Sequence, residues 1–501
     1  MADDYNISYS YQTGTETPAQ QPAKPAPTDS DTALYAFAEC ERVNIPNGGV
    51  LLIHKHSDAQ IIVASEVSIA LHSCRVFRTL QEHVQVLTTT IPQLAGQEAD
   101  VASVLQMVKD AGLMTTAASV CQRLTENVEP AVDLPPTRVF IITCDRPAAV
   151  ERLLQSMLYA GNLTRHEHLF IVDDSRDPKN AELTREAAAR FNLTSPKDIH
   201  YVGAEAQQQL MDDLITEQPE HEEGIRFLID RNRWADKKTY GLARTMCLLL
   251  SVGCRAIVMD DDVICAAIPS PHKRDGITFG DVGREVDFYS SEQDILSRTA
   301  KADFDPLTGH AQCLGLNLEQ AINKLGIGEL SEENLKNANA AYLSQWQAES
   351  PVLVTQSGTL GDPGTPGTEW LYTIDEASTQ RLLTNPGGLE GALVNRHYWM
   401  GQPRPQITKM AVISQVTGLD NSKLLPPYFP VFRGEDYLFG AMLEYLHPHS
   451  TVLEYDWCVP HFPLEQRQGD IDIKPSSGKG LINPSKYITD RTHYNHGMST
   501  S

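Results

Sequence analysis

Three consecutive carboxylates, Asp260, Asp261 and Asp262, follow directly on an apolar run of the chain. The run covers 256–259 and comes after a helical stripe that breaks at Gly253, so the pattern predicts a helix, a turn, a buried strand and an acidic tip. A strand buried on both faces exposes side chains only beyond its carboxyl end, where open α/β sheets bind ligands. Neighbouring carboxylates repel one another unless a hard cation, Mg²⁺ or Mn²⁺ carried by a diphosphate, offsets their charge. The alternative is a solvated loop or a helix cap.

Two earlier strands are predicted at 139–142 and 168–172, with a helix between them. Asp145 as the cap and Pro147 in the first turn would begin that helix. The second strand ends in acidic residues beginning at Asp173. Strand, helix, strand and acid together predict the opening of a parallel sheet, although Asp145 and Asp173 could also serve simply as caps.

Two further candidates lie in the C-terminal part of the chain. Glu435 and Asp436 precede an apolar stripe at 438–445, which predicts a helix that begins with two acids. Acids in a first helical turn complement the helix dipole, so a structural role is the alternative. His461 lies between two prolines after a strand-like run at 451–455. A single His is more often a core residue than a metal ligand, but a neutral imidazole suits Mn²⁺ better than Mg²⁺.

The order of these elements resembles the nucleotide-sugar glycosyltransferases of the GT-A fold, over roughly residues 137 to 465. In that family an Asp-x-Asp at a strand end holds the metal–diphosphate, and the preceding helix often carries Ala-Arg, here Ala243-Arg244. Thr245 stands where an Asn is usual. The resemblance implies a nucleotide-sugar donor and Mn²⁺ or Mg²⁺, with Asp260, Asp262 and His461 as metal ligands and Thr143, Arg146, Asp174, Arg244, Asp260 and Asp261 as donor-binding residues.

The same resemblance implies a catalytic role for the Glu-Asp element. Asp436 would take the acceptor proton as general base, and Glu435 would orient Asp436 or the acceptor. The assignment between the two could be reversed. Inversion is favoured if Asp436 lies opposite the leaving group, but the element also occurs in retaining enzymes, so the stereochemical outcome stays open.

Two other functions remain open from the sequence. A sugar-phosphate nucleotidyltransferase shares a related sheet but carries a Gly-rich loop ending in Arg and Lys after its first strand, and residues 143–147 lack that loop. A non-catalytic peptide- or nucleotide-binding protein would not need acids at all three expected positions. The donor sugar, the base, the acceptor and the oligomeric state are not predicted.

Composition agrees with a cytoplasmic enzyme. The 501 residues are enough for roughly two or three domains, and the nine Cys lack any Cys-x-x-Cys spacing, which indicates buried reduced thiols, Cys144 among them. A net charge of −24 argues against nucleic acid as a partner, because phosphate neutralisation needs a basic surface. The longest apolar stretch, 246–259, contains Arg255 and is too short for a membrane span.

The segment 32–129 has the outline of a small winged-helix unit. It shows strand-like pieces at 49–53 and 60–64, a helical stretch at 67–87 and a last helix through 101–113. This order, with the ending Ala111-Gly112-Leu113, resembles PqqD-like domains, which present a strand edge to a leader peptide. The resemblance implies a peptide or protein acceptor, and a structural or dimerising winged helix is the alternative.

The expected fold is therefore α/β, with a Rossmann-like GT-A catalytic domain of mostly parallel sheet preceded by a small α+β winged-helix-like domain. A glycine-rich stretch at 356–367 is expected to be a mobile loop at the acceptor side or a plain surface loop. The predicted arrangement is a disordered tail at 1–31, the accessory domain at 32–129, a linker at 130–136, the catalytic domain at 137–480 with a helical insertion at about 300–350, and a C-terminal tail at 481–501.

Overall fold

The structure, a computed structural model, describes residues 32–46, 48–126, 133–280, 282–364, 369–412, 415–431 and 434–465. The two expected tails, 1–31 and 481–501, and the first part of the expected linker lie outside these residues. In the described part of the chain, no helix combines the length and the apolar composition that a membrane span requires.

The N-terminal unit contains a three-stranded antiparallel sheet, a two-stranded antiparallel sheet and four helices among its described residues. Its elements are β1 (Tyr35–Phe37), β2 (Cys40–Ile45), β3 (Gly49–His54), β4 (Gln60–Ala64), α1 (Ser65–Ala70), α2 (Leu80–Thr90), α3 (Glu98–Asp110), β5 (Met114–Thr116) and α4 (Ala117–Thr125). The predicted hairpin is confirmed as β3 and β4, and β2 adds the third strand.

The predicted helix over 67–87 is wrong because the chain leaves the helix in its middle. After α1, residues 76–77 form isolated bridges to 336 and 339, and their backbone is held in extended form. Thr79 then begins α2 with a capping box, in which its side chain accepts from Glu82 N at 3.1 Å. The helix predicted through 101–113 is α3, which stops before Leu113 because Gly112 takes a φ of +78°, and α4 follows it.

The rest of the chain is built on a large sheet with helices packed against it. Its strands are β6 (Thr137–Thr143), β7 (His168–Asp173), β8 (Ile199–Val202), β9 (Arg255–Asp260), β10 (Ile268–Pro269), β11 (Thr278–Phe279), β12 (Glu285–Phe288), β13 (Val352–Gly361), β14 (Tyr398–Gly401), β15 (Gln406–Thr408), β16 (Val416–Asp420) and β17 (Thr451–His461). Its helices are α5 (Pro147–Ala160), α6 (Pro178–Asn192), α7 (Ala204–Glu217), α8 (Glu222–Ile229), α9 (Leu242–Leu249), α10 (Glu292–Arg298), α11 (Pro306–Cys313), α12 (Leu318–Lys324), α13 (Glu332–Leu335), α14 (Ala340–Leu343), α15 (Glu376–Thr384), α16 (Gly388–Asn395) and α17 (Glu435–Leu446).

The sheet has twelve strands among the described residues, and its order places a switch point beside the acidic tip. The path runs β11-β15-β17-β13-β16-β9-β6-β7-β8, in which β9, β6, β7 and β8 are parallel and β16 is antiparallel to both its neighbours. From β6 the chain continues to β7 and β8 on one side and returns to β9 on the other. Open α/β sheets bind ligands at such a point, beyond the carboxyl ends of the strands. The α/β class of the prediction is confirmed.

The first half of the glycine-rich stretch is not a loop. Residues 352–361 form β13, which is buried throughout and pairs with β14, β16 and β17. A Cβ on Gly358 would lie 2.6 Å from the Met400 carbonyl oxygen, and Gly361 takes a φ of +110°. The glycines therefore let neighbouring strands approach closely. In the sequence alone, the same glycines indicate a loop. Residues 365–368 lie outside the described part.

The helical insertion is present as a series of short helices. α12, α13 and α14 lie within the predicted range, and α13 begins with a cap in which Ser331 N donates to the Asn334 side chain at 2.9 Å. Cysteine predictions hold for most positions: all nine Cys are free, but Cys144 is exposed because it lies in the loop beyond β6.

The insertion fastens the N-terminal unit to the main sheet. Leu34 N donates to Glu332 Oε2 at 2.9 Å, and Phe77 exchanges backbone hydrogen bonds with the 337–338 segment at 2.9 and 3.0 Å. Phe77 and residues of α4 belong to the same hydrophobic cluster as Leu335, Leu343 and the β6 and β7 strands. The two parts of the chain therefore share one hydrophobic cluster, and the N-terminal unit also has a cluster of its own around β3 and β4.

Candidate functional site

The carboxyl ends of β6 and β9 bring four of the predicted residues into direct contact. Thr143 is the last residue of β6, and its hydroxyl donates to Asp261 Oδ2 at 2.6 Å. The guanidinium of Arg146, at the start of α5, lies 3.3 Å from Asp261 Oδ1 and 2.9 Å from Asp262 Oδ2. The loop after β6 and the acidic tip after β9 therefore form a single site.

His461 joins this site from the end of β17. The predicted strand at 451–455 continues to His461, which is almost fully buried. Its Nε2 lies 3.0 Å from Asp262 Oδ1, and its Nδ1 lies 2.5 Å from the carbonyl oxygen of Asp362. The structure thus brings Asp262 and His461 together, although they are far apart in sequence.

Asp260 faces the other way, toward α9. Arg244 donates to Asp260 Oδ1 at 2.9 Å, and Asp260 is 30% exposed while Arg244 is 9% exposed. Burial lowers the pKa of Arg244, but the carboxylates of Asp260, Glu435 and Asp436 outweigh this effect and raise it. Arg244 therefore interacts electrostatically with both the acidic tip and the Glu-Asp element.

The Glu-Asp element stands at the beginning of α17, as the sequence predicts. Gly434, with a φ of +92°, turns the chain into the helix, and Glu435 is buried while Asp436 is half-buried. Asp436 Oδ1 accepts from Tyr437 N at 2.9 Å.

The acidic tip carries strong charge repulsion. Burial and the neighbouring charge of Asp262 raise the pKa of Asp261 to about 7, although Thr143 and Arg146 act in the opposite direction. Burial also raises the pKa of Asp260, and the charge of Asp262 adds to it. Further positive charge beside these carboxylates would therefore stabilise their ionised forms.

Asp174 lies at the same edge of the sheet, but its carboxylate already accepts hydrogen bonds from other side chains of this protein. Its backbone N donates to Thr143 O at 2.9 Å. Its carboxylate accepts from Arg231 Nε at 2.9 Å and from the Thr239 hydroxyl, and it is 3% exposed. A contact between Asp174 and a nucleoside would require the 231–239 segment to move aside.

Asp145 and Asp173 do not cap the helices that the sequence suggested. Asp145 has a φ of +57°, and its carboxylate accepts from the backbone N of Arg176 and Asp177 at 3.2 and 3.0 Å. Asp173 accepts from the Tyr201 hydroxyl at 2.9 Å. The Asp145 carboxylate binds the loop after β7 and the Asp173 carboxylate binds β8, because the parallel sheet places these elements side by side.

Three residues at the site were not singled out from the sequence. Arg152 of α5 donates to the backbone oxygens of Asp262 and Phe462 at 2.9 and 2.6 Å, so it ties the acidic tip to the end of β17. A single Arg within an apolar helical stripe was the signal that could have revealed it. Asp362 and Arg396 form a buried ion pair behind His461, and no local pattern marks them.

The predicted metal ligands, Asp260, Asp262 and His461, do not all face one point. Within the described ranges, no group of three or more His, Cys, Asp and Glu side chains is arranged to hold a metal ion. Asp262 and His461 face each other, whereas Asp260 is turned to Arg244. Mg²⁺ usually binds through one or two carboxylates plus substrate phosphates and water. The residues therefore fit a cation that arrives with a diphosphate better than one held entirely by protein.

No family model matches the chain, and no curated protein matches it. The roles of the site residues therefore depend on their chemistry and arrangement.

Proposed function

We propose that this protein is a metal-dependent glycosyltransferase that moves a sugar from a nucleotide-sugar donor to an acceptor. The observation that carries the proposal is the meeting of Arg146, Asp261, Asp262 and His461 at the switch point of the sheet. This place in an α/β sheet suits a nucleotide, and the mixture of acids, a guanidinium and an imidazole suits a diphosphate with its cation.

On the donor side, Asp262 and His461 would hold the cation, with Asp260 within reach of its hydration shell. A divalent cation there supplies positive charge to the departing diphosphate. Thr143 holds Asp261 through a short hydrogen bond and so orients the acidic tip. Arg146, whose side chain is 31% exposed, can donate to a phosphate oxygen on the solvent side.

On the acceptor side, Asp436 would accept the proton of the attacking group. Asp436 is half-buried at a helix start, and its charge acts on the same Arg244 that donates to Asp260, which supports this role. Glu435 is more deeply buried and suits the orienting role. Loss of a general base typically costs about 10²- to 10⁴-fold in rate.

A panel of nucleotide sugars tests the reaction class. The wild-type protein in Mn²⁺ should release a nucleoside diphosphate from at least one donor, and Asp262→Asn should not. Asp375→Asn is the matched control, because Asp375 caps α15 by accepting from Ser378 N at 3.0 Å and Asn caps equally well. Release from both variants would refute the assignment.

The same assay separates the two rival functions. A nucleotidyltransferase would instead release inorganic diphosphate from a nucleoside triphosphate and a sugar phosphate. A non-catalytic binding protein would bind the nucleotide and release neither product.

We propose further that the acceptor is a peptide or protein bound at the open edge of β4. In the three-stranded sheet β2-β3-β4, no further strand of the described residues pairs with either edge. The β2 edge carries exposed Glu41, Arg42 and Asn44, and charged side chains protect an edge from pairing. The β4 edge is apolar, and Ile62 is 60% exposed.

The backbone of β4 offers hydrogen-bonding groups along this edge. His54 N donates to Ala59 O, and the bonded pairs of the β3–β4 ladder alternate from there. The amide and carbonyl groups of Gln60, Ile62 and Ala64 therefore point away from β3. An extended peptide could add as a further strand, which gives affinity without demanding a particular charge.

A proline at Ile62 tests the edge without disturbing the hairpin, because it removes an amide that β3 does not use. Ile62→Pro should abolish transfer of labelled sugar to protein, while hydrolysis of the nucleotide sugar continues. Arg42→Pro removes the equivalent outward amide on the β2 edge and should leave both activities unchanged. Transfer that survives in Ile62→Pro would refute the recruitment role. A truncation is unsuitable here, because the N-terminal unit and the main sheet share one hydrophobic cluster.

A further inference from the structure

A chain of three buried residues leads from the acidic tip into the protein. His461 contacts Asp262 through Nε2 at 3.0 Å and the Asp362 carbonyl oxygen through Nδ1 at 2.5 Å. The Asp362 carboxylate in turn receives two hydrogen bonds from Arg396, from Nε at 2.7 Å and from a terminal nitrogen at 3.0 Å. All of these side chains are 10% exposed or less.

The contact with Asp362 fixes the orientation of the His461 ring. A carbonyl oxygen can only accept, so Nδ1 carries the hydrogen and Nε2 is the nitrogen directed at Asp262. Asp362 N also donates to His461 O at 3.0 Å, so the two residues hold each other through two hydrogen bonds. Gly361 makes this approach possible, since a Cβ there would collide with the backbone of His461.

Arg396 holds Asp362 in place for this contact. It ends α16 in the left-handed conformation, with a φ of 50°, which residues other than glycine rarely adopt. The planar guanidinium fits both carboxylate oxygens at once, and an ammonium group cannot reproduce this fork. Asp362 Oδ1 also accepts from Gly364 N at 2.7 Å, so the ion pair fixes the whole turn after β13.

We infer that Arg396 and Asp362 are positioning residues that aim His461 Nε2 at the cation held with Asp262. This inference rests on the proposed function. Groups that orient a metal-binding histidine in this way typically contribute about 10- to 100-fold in metal affinity. Neither residue contacts the donor-binding groups directly in the described structure, so both act through His461.

The test measures Mn²⁺ binding by electron paramagnetic resonance, with Mn²⁺ alone and with Mn²⁺ plus inorganic diphosphate. Arg396→Met and Asp362→Asn should each lower the affinity by about 10- to 100-fold. The double variant should lose no more than Arg396→Met, because the two residues act as one unit. Arg396→Lys should fall between Arg396→Met and the wild type.

A spectroscopic signature distinguishes positioning from general destabilisation. Manganese bound to an imidazole shows a nitrogen coupling in pulsed measurements, and Arg396→Met should weaken or remove it. Arg381→Met is the matched control, since Arg381 pairs with buried Glu285 at 2.6 Å on β12, away from the acidic tip. That variant should keep both the affinity and the coupling.

The outcomes separate the two proposals. If the wild type binds Mn²⁺ and folded Arg396→Met binds it equally well with the same nitrogen coupling, the positioning role is wrong and the proposed function stands. If the wild type binds no Mn²⁺ under either condition, the metal site fails and the positioning role fails with it. Should Arg396→Met or Asp362→Asn not fold because a buried charge is left alone, the double variant removes both charges and decides the question.

Discussion

Replacing Asp262 with asparagine should separate metal binding from stability more sharply than any other change at the site. The Asp262 carboxylate is 4% exposed and touches Arg146 at 2.9 Å and His461 at 3.0 Å. The substitution keeps the shape of the side chain and removes its charge. Two effects of opposite sign follow for the folded protein.

The loss of hydrogen bonds to a charged group destabilises the folded protein, and the loss of charge repulsion stabilises it. A hydrogen bond to a charged group contributes about 1.5 to 3 kcal/mol, but Arg146 is 31% exposed and keeps its contact with Asp261, so solvent reduces its share. Against this, the substitution removes repulsion that raises the pKa values of Asp260 and Asp261. We therefore expect the free energy of unfolding to change by no more than about 1 to 2 kcal/mol.

Metal binding should respond in a different way. An amide oxygen has no net charge with which to hold Mn²⁺, so the affinity should fall by more than the roughly 100-fold typical of an outer residue. A ligand at 100 times its Kd stabilises the folded state by about 2.7 kcal/mol. Wild-type protein and Asp375→Asn should therefore show a rise in melting temperature with Mn²⁺, and Asp262→Asn should show none.

Thermal unfolding with Mn²⁺ and with excess chelator, measured beside turnover, checks this expectation. Full turnover in Asp262→Asn, or in the wild type with excess chelator, would refute the metal role. A loss of several kcal/mol without any change in the Mn²⁺ effect would show that Asp262 is a structural residue.

Three further substitutions have expected outcomes. Asp436→Asn keeps the acceptor for Tyr437 N but cannot take the proton, so turnover should fall by about 10²- to 10⁴-fold. Nucleotide-sugar affinity should stay within a few fold, and a collapse of affinity instead would assign Asp436 to binding. Burial lowers the pKa of His166 from 6.5 to about 4, and His166 Nδ1 contacts the Thr137 hydroxyl at 2.7 Å. Since the unfolded state binds the proton first, stability should be lost as the pH falls from 6.5 toward 4, by about 2 to 3 kcal/mol. Urea unfolding at pH 7 and pH 4.5 should show that His166→Asn loses less stability than the wild type. Gly358→Ala should destabilise by about 1 to 3 kcal/mol because its Cβ would meet Met400 O, whereas Gly328→Ala, with open space around it, should be neutral in the same thermal measurement.

Patterns within short stretches of sequence were enough to locate the parallel core. The β-branched runs predicted β6, β7 and β9, and the acids after β9 were expected at the carboxyl edge where they lie. These elements follow from short continuous apolar runs, which strands buried on both faces show, and the edge at which their ends meet follows from parallel pairing. The contact between Asp262 and His461 was anticipated only through a family resemblance, since no local pattern joins them.

Features that depend on distant partners could not be predicted. The glycines of β13 make room for β14 and β17, but in sequence they look like a loop. The helix expected over 67–87 is interrupted because residues 336–340 supply backbone partners from far along the chain. The Arg396–Asp362 pair spans 34 residues and lies behind the site, where only the folded arrangement reveals it.

The hydrophobic cluster shared by the N-terminal unit and the 331–343 segment has a geometric consequence. Because α4 and Phe77 pack into the same cluster as Leu335 and Leu343, this part of the N-terminal unit is held against the main sheet, while β4 packs through Val63 into the unit's own cluster. An extended chain advances by about 3.3 Å per residue. If a peptide binds at β4 as proposed, this attachment would set the number of residues between the bound segment and the modified side chain, and that spacing would be a property of the fold.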